Sequence, residues 1–145
     1  MSFNHYSNAI EFRQVFDQPF AEKASILPDS EPLFSKLKMQ LSLIQEEGNE
    51  FSEALEEWIS ASSVASLPES EKLQCKHEVL KELADLVYVC YQMAAFLGLN
   101  LDEALNRVHQ SNLSKLDENG KAIYNPKGKV LKGPNYKKPN LTDLL

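Results

Sequence analysis

Two pairs of acidic residues, set within apolar helical patterns, constrain most strongly what this chain can fold into. Glu47 and Glu50 form the first pair, and Glu82 and Asp85 form the second. Each pair has i, i+3 spacing, so on a helix both carboxylates project from the same face, one turn apart. Apolar residues recur beside each pair at the spacing of a core-facing helix: Leu41, Ile44, Gly48, Phe51, Leu55 and Trp58 beside the first, and Leu86, Val89, Met93 and Phe96 beside the second. The pattern predicts four carboxylates directed toward the junction of two helices.

Carboxylates that are partly buried at such a junction need a positive partner, because an uncompensated buried charge costs several kcal/mol. The helical periodicity places no basic residue on the same two faces. A divalent cation is then the simplest partner, and hard oxygen ligands favour Mg²⁺, with Mn²⁺ as a substitute. The alternative is an ordinary solvated face, since a single i, i+3 acid pair at the edge of a stripe is more often surface than site.

Composition and charge bound the class of protein. The 145 residues are 43% apolar and 25% charged, as in an ordinary globular protein, and we expect one domain over residues 1–145. No apolar run is long enough to span a bilayer, and the N-terminus lacks the pattern of a secretion signal, so we expect a cytoplasmic protein with no membrane partner. The two cysteines, Cys75 and Cys90, form no metal or redox motif.

The net charge of −6 is unevenly distributed along the chain. Residues 1–114 carry 8 basic and 18 acidic side chains, whereas residues 115–145 carry 7 lysines and 3 acids. The acidic body argues against nucleic-acid binding. The basic C-terminal segment could cover a small anionic ligand, or it could simply keep the protein soluble.

The order of predicted elements indicates an all-α helical bundle with a short basic C-terminal loop or β-hairpin. Capping boxes at Asn8 and Ser66 and a cap at Asn100 predict helix starts, and Gly98 predicts a helix end. We expect a loop over 17–32, a helix from Pro32 to about 60, a second ending at 97, and a third ending near 112–116. The almost wholly apolar segment 83–97 predicts a central helix or an oligomer interface. The helical core would span about 32–116, and alternation around 123–130 predicts a small hairpin within the basic segment 117–145.

Several metal and nucleotide chemistries are excluded by missing motifs. Neither acid pair supplies the Glu-x-x-His spacing of a di-iron bundle, and there is no P-loop, nucleophile elbow, EF-hand loop or Cys/His zinc pattern. Magnesium-dependent chemistry on phosphates remains, in which carboxylates hold the ion and lysines contact the phosphate oxygens left uncovered.

Two separated segments resemble a known superfamily. The sequence EEGNE at 46–50, followed by ELAD at 82–85, resembles the ExxE…ExxD signature of the all-α nucleoside triphosphate pyrophosphohydrolases, which include MazG, the dimeric dUTPases and phosphoribosyl-ATP pyrophosphohydrolase. The segments SNLSK at 111–115 and GKVLKGPNY at 128–136 are similar to the C-terminal region of a MazG-like subgroup. The resemblance covers roughly residues 35–137.

The resemblance implies a Mg²⁺-dependent enzyme that hydrolyses nucleoside triphosphates, with deoxynucleotides favoured, to the monophosphate and pyrophosphate. It implies that Glu47, Glu50, Glu82 and Asp85 bind the metal, and that Glu46 acts with Glu47 and Glu50 in catalysis. The substrate contacts that it implies lie further along the chain, at His109, Asn112, Lys115, Lys129, Lys132 and Tyr136. It also implies a homodimer or homotetramer.

Two alternatives stay open at this point. The substrate could be another pyrophosphate compound, such as phosphoribosyl-ATP or guanosine tetraphosphate. The chain could also be a non-catalytic module for nucleotide binding or oligomerisation.

Overall fold

Four α-helices make up the regular structure of this chain. The structure is a computed structural model that describes residues 4–21 and 31–145. The helices are α1 His5–Val15, α2 Glu31–Ser62, α3 Glu69–Leu97 and α4 Leu101–Leu113, and a 3-10 turn follows at Thr142–Leu144. Within the described residues there is no β-strand, so the all-α prediction is confirmed. The predicted loop over 17–32 lies largely outside those residues.

The helix ends show where capping signals were interpreted correctly. Asn100 caps α4 as predicted, its side-chain oxygen accepting the backbone N–H of Glu103 at 3.1 Å. Gly98 ends α3 with the left-handed conformation expected of a C-cap glycine, at φ 67°. The start of α1 was predicted four residues late, because Asn4 caps it and the Asn8 N–H already bonds to the Asn4 carbonyl within the helix.

The predicted capping box at Ser66 is also wrong. The residue before α3 is Pro68, which makes no side-chain capping bond. Two acids in the first turn, Glu69 and Glu71, are placed where their charge offsets the helix dipole.

Contacts divide the chain into two compact units, Met1–Gly98 and Leu99–Leu145. The prediction of one domain over residues 1–145 stays a prediction. In the first unit α3 packs along α2, to which residues 63–68 join it, and α1 packs against α3. The buried apolar residues gather where α1 meets the C-terminal part of α3: Ala9, Tyr91, Ala94, Ala95 and Phe96, with Ala54 on α2.

Only the second half of the apolar segment 83–97 is buried in the isolated chain. Burial begins at Tyr91, whereas Leu83, Val87 and Tyr88 are exposed by more than two fifths. The sequence pattern predicted burial correctly at one end of this segment, and it left open whether a second chain covers the other end.

The second unit is held together by contacts between α4 and the C-terminal segment. The Ser111 hydroxyl donates to the Lys137 carbonyl at 2.7 Å, and the Lys137 N–H donates to the Ser114 hydroxyl oxygen at 2.8 Å. Arg107 bonds to Glu103 on its own helix and to Asp143 in the 3-10 turn, each at 2.8 Å.

The expected hairpin is reduced to one β-bridge, between Tyr124 and Val130. Two backbone hydrogen bonds flank it, from the Asn125 N–H to the Lys129 carbonyl at 2.9 Å and from the Leu131 N–H to the Ile123 carbonyl at 2.7 Å. The C-terminal appendage is therefore a loop built around a single turn.

No single helix in the described part of the chain has the length and apolarity needed to cross a membrane. Helices α3 and α4 satisfy that test of length and composition only when they are taken together across the break between them.

Candidate metal centre

Helices α2 and α3 bring three carboxylates together. One oxygen each from Glu47, Glu82 and Asp85 lies within 4.8 Å of the other two, and all three residues are half-buried. On α3 the i, i+3 spacing stacks Glu82 and Asp85 on one face, and α2 presents Glu47 to that face from the edge of its apolar stripe. These are three of the four residues that the sequence pattern placed at the helix junction.

The fourth predicted ligand lies beside this group. Glu50 is exposed, one turn along α2 from Glu47, and it is not among the carboxylates whose oxygens lie within 4.8 Å of one another. Glu46 is exposed as well. Both carboxylates act on the cluster through their charge, as the ionisation of Glu47 shows.

Burial raises the pKa of the Glu47 carboxyl above its ordinary value, because desolvation disfavours the charged form. The negative charges of Glu50, Asp85, Glu82 and Glu46 raise this pKa further, in decreasing order of effect. The cluster therefore concentrates negative charge, and a bound cation would neutralise part of that charge.

A lysine supplies part of the positive charge that these carboxylates need. The prediction that no basic residue reaches these faces is therefore wrong. The Lys81 ammonium lies 2.8 Å from a Glu82 oxygen and 3.2 Å from an Asp85 oxygen. Lys81 directly precedes Glu82, so its Cα is on a neighbouring face of α3, but its four-carbon stem carries the ammonium round to the acids. These hydrogen bonds raise the pKa of Lys81.

The cluster retains an unused ligand atom. Glu82 Oε2 is buried and has no hydrogen-bond partner within the described residues, while Oε1 of the same carboxylate contacts Lys81. A buried carboxylate oxygen without a partner is costly, and hard cations such as Mg²⁺ prefer oxygen ligands of this kind. The donor set therefore fits a divalent cation.

The other predicted site residues lie in the second unit. His109, Asn112, Lys129 and Lys132 are exposed, and Lys115 and Tyr136 are half-buried. The Lys132 ammonium lies 4.6 Å from the centroid of the Tyr136 ring, a cation–π contact. The structure thus brings Lys132 and Tyr136 together, and the roles of all six residues toward substrate stay predictions.

Sequence reasoning missed three buried polar residues of the first unit, Arg13, Gln40 and Gln92. Arg13 Nη1 donates to the Gln92 side-chain oxygen at 3.3 Å, and the Gln92 amide donates to the Ala9 carbonyl at 3.4 Å. All three polar residues are at least 96% buried. Gln40 lies seven residues before Glu47 and Gln92 seven after Asp85, so polar residues on core faces were a usable signal.

One family model and a set of solved structures are similar to this chain. Residues 9–112 match the family model described as phosphoribosyl-ATP pyrophosphohydrolase. Among solved structures, the chain is similar to one from Exiguobacterium sp. 255-15 that is provisionally described as an NTP pyrophosphohydrolase. The identity is 20% and the TM-score 0.44, over 96% of this chain and 90% of the other. No curated protein matches the chain.

Proposed function

The chain belongs to the phosphoribosyl-ATP pyrophosphohydrolase family, and from this premise we propose that it hydrolyses nucleoside triphosphates to the monophosphate and pyrophosphate, with deoxynucleotides favoured. The observation that carries the proposal is the carboxylate cluster on α2 and α3, which lies inside the matched region and includes a buried oxygen with no partner among the described residues. Phosphoribosyl-ATP is the second candidate substrate, and the name of the matching family favours it.

We propose that Glu47, Glu82 and Asp85, with Glu50 beside them, hold Mg²⁺, for which Mn²⁺ can substitute. A bound ion of this kind neutralises phosphate charge and lowers the pKa of a coordinated water. The mutual repulsion of the four acids supports this assignment, because it makes the site without a cation electrostatically unfavourable.

We propose that Glu46 positions the attacking water, and that Glu50 does so in addition to its place at the metal. Glu46 and Glu50 are exposed beside the cluster and can each accept a hydrogen bond from water. In the proposed reaction a water oxygen attacks the α-phosphorus, and a proton of this water passes to one of these carboxylates. The phosphoanhydride bond between the α- and β-phosphates breaks, and pyrophosphate leaves. Holding that water in line is the main contribution expected of Glu46.

We assign substrate contacts to the basic C-terminal segment on the ground of its charge. Residues 115–145 carry 7 lysines against 3 acids, and lysines act as point charges toward phosphate oxygens. The residues proposed to contact the nucleotide are His109, Asn112, Lys115, Lys129, Lys132 and Tyr136.

The exposed apolar face of α3 supports a homodimer or homotetramer. Leu73 and Leu80 are about two thirds exposed in the single chain. Near Leu80 a largely apolar groove of about 370 Å³ opens between α1 and α3, lined in part by Leu83, Val87 and Tyr88. Contiguous apolar surface of this kind is typical of protein interfaces.

A product assay tests the proposed reaction. The purified protein is incubated with Mg²⁺ and each common NTP, dNTP or phosphoribosyl-ATP, and the products are resolved by chromatography. We expect monophosphate and pyrophosphate from a subset of the triphosphates. Diphosphate and phosphate, or no product from any triphosphate, would contradict the proposal, and turnover of phosphoribosyl-ATP alone would select the second candidate.

Two variants test the site within the same assay. Glu50→Gln and Asp85→Asn remove one charge each with little change in shape, and we expect each to lower kcat at least about a hundredfold. Glu57→Gln, at an exposed position on α2, is the matched control. Full Mg²⁺-dependent turnover by the folded Asp85→Asn variant would show that the site is wrongly assigned.

A further inference from the structure

Gln40 is a buried polar residue that the proposed reaction does not use. The residue is 2% exposed, and its Oε1 has no hydrogen-bond partner among residues 4–21 and 31–145. The amide nitrogen has only a long contact with the sulfur of Met39, at 4.0 Å. Because a buried carboxamide oxygen without a partner destabilises the fold, Gln40 Oε1 is open to a partner from outside the described residues, such as a bound ligand.

Gln40 lines a cavity of about 220 Å³ in the first unit. Arg13, Phe96, Asp17 and Lys36 also line it. The Arg13 guanidinium carbon lies 5.0 Å from the centre of the Phe96 ring. Arg13 is fixed there by bonds to the Pro19 carbonyl at 2.6 Å and to Gln92. The cavity is smaller than the roughly 300–1,000 Å³ typical of sites for drug-sized ligands, so it suits one fragment of a nucleotide.

The cavity lies along the same helix faces as the carboxylates. Gln40 precedes Glu47 by seven residues, which is two turns, so both side chains leave α2 on the same side about 10 Å apart. Gln92, which holds Arg13, follows Asp85 by the same interval on α3. A nucleotide with its phosphates at the carboxylates would extend its ribose and base over a comparable distance.

We propose that this cavity receives the nucleobase of the substrate, and that Gln40 and Arg13 select a base with a carbonyl at the position where adenine and cytosine carry an amino group, as in guanine, uracil or thymine. This inference rests on the proposed function. A carboxamide offers a donor and an acceptor side by side, which match the paired groups on a base edge. The guanidinium adds only donors, which match the carbonyl of such a base.

The test compares Gln40→Met with Gln45→Met, an exposed position on the same helix. For each protein, kcat/KM is measured on dGTP, dTTP, dUTP, dATP and dCTP. We expect the wild type and Gln45→Met to favour dGTP, dTTP or dUTP. Gln40→Met should lose roughly tenfold to a hundredfold on the favoured substrates, so that the five values converge.

Two further measurements separate this inference from the proposed function. Binding of phosphate-free deoxyguanosine and thymidine, followed by ligand-observed NMR, should be seen with the wild type and lost in Gln40→Met. This readout decides the inference even if the wild type hydrolyses no triphosphate. The melting temperature of Gln40→Met should equal or exceed that of the wild type, because the substitution removes an amide without partners.

Three results would overturn the inference: an unchanged substrate profile in Gln40→Met, unchanged nucleoside binding, or a clear fall in its melting temperature. The last would show that the Gln40 amide has a structural partner within the protein.

Discussion

At the scale of single residues, the acidic cluster is defined by charges that destabilise one another. Glu47 shows this repulsion most clearly, because burial and four neighbouring carboxylates all raise its pKa. Lys81 offsets part of the repulsion from one side, through Glu82 and Asp85. The stability of the folded protein therefore depends on pH and on whether a cation is bound at this cluster.

The first prediction concerns pH without metal. Because the pKa of Glu47 is raised in the folded state, the folded protein still holds this proton at pH values where the unfolded chain has released it. The contribution of Glu47 to stability is then lost as pH rises from the ordinary carboxyl range, about 4.3, through the raised value. Glu47→Gln should be more stable than the wild type above this window, with the difference shrinking as pH falls.

Urea denaturation in EDTA across that pH range measures the difference in the free energy of unfolding. Glu57→Gln, an exposed position on the same helix, is the control. A stability difference between Glu47→Gln and wild type that does not vary with pH would mean that Glu47 ionises normally.

The second prediction concerns Lys81 as a competitor for the cation. Its ammonium occupies the space beside Glu82 and Asp85, so a metal ion must displace it. Lys81→Met should therefore bind Mg²⁺ or Mn²⁺ about two- to fivefold more tightly, as expected for loss of an exposed ion pair. Isothermal titration calorimetry gives the affinity, and Lys72→Met, which breaks the pair with Glu69 on the same helix, is the control. Equal or weaker binding by Lys81→Met would argue against competition.

The residue scale also shows why part of the site could not be predicted. Helical spacing placed Glu47, Glu82 and Asp85 together because it fixes where Cα atoms lie around each axis. It could not show that the long stem of Lys81 carries its ammonium to the next face. It also could not pair Gln40 and Arg13 with one cavity, because that requires the relative register of three helices.

At the scale of elements, two glycines differ in the space that surrounds them. Gly48 lies in the middle of α2, and a Cβ built there meets no atom within 4 Å. Gly133 lies in the C-terminal segment, and a Cβ there would come within 2.1 Å of the Leu116 carbonyl oxygen. The Gly133 N–H donates to the Lys115 carbonyl at 2.9 Å, a close approach of two backbones that only glycine permits.

The third prediction uses this contrast. Gly48→Ala should stabilise the protein by about 0.5–1 kcal/mol, because alanine loses less backbone entropy in a helix. Gly133→Ala should destabilise the second unit by about 1–3 kcal/mol through overpacking. Urea denaturation and limited proteolysis of the C-terminal segment measure the two effects. Stabilisation by Gly133→Ala would show that the close approach is not present in solution.

The sequence predicted which segments are helical, but it did not predict where α1 and α3 begin. Asn4 and Asn8 are both good caps one helical turn apart, so the sequence offers two equivalent starts for α1. The short alternating pattern around Ile123 and Val130 suggested a hairpin. With few apolar residues to bury, it forms only one bridge.

At the scale of the whole molecule, the exposed apolar face of α3 leads to the fourth prediction. Leu80 is 68% exposed in the single chain, beside the groove between α1 and α3. If a second copy covers this face, Leu80→Asp should shift the protein to a smaller species, because a buried aspartate without a partner is costly. Light scattering coupled to size-exclusion chromatography measures the mass, and Val64→Asp, exposed between α2 and α3, is the control. An unchanged oligomer in Leu80→Asp would place the interface elsewhere.

The carboxylate cluster also has a consequence for how the two long helices assemble. Its three oxygens lie within 4.8 Å of one another; one comes from α2 and two come from α3. Sliding α3 along α2 by one turn would displace its ligands by about 5.4 Å, more than the whole width of the cluster. Only one alignment of the pair can therefore offer all three oxygens to a single ion. Cation affinity would then distinguish molecules in which α2 and α3 are correctly aligned from molecules in which α3 is shifted by a turn, although both have the same helix content.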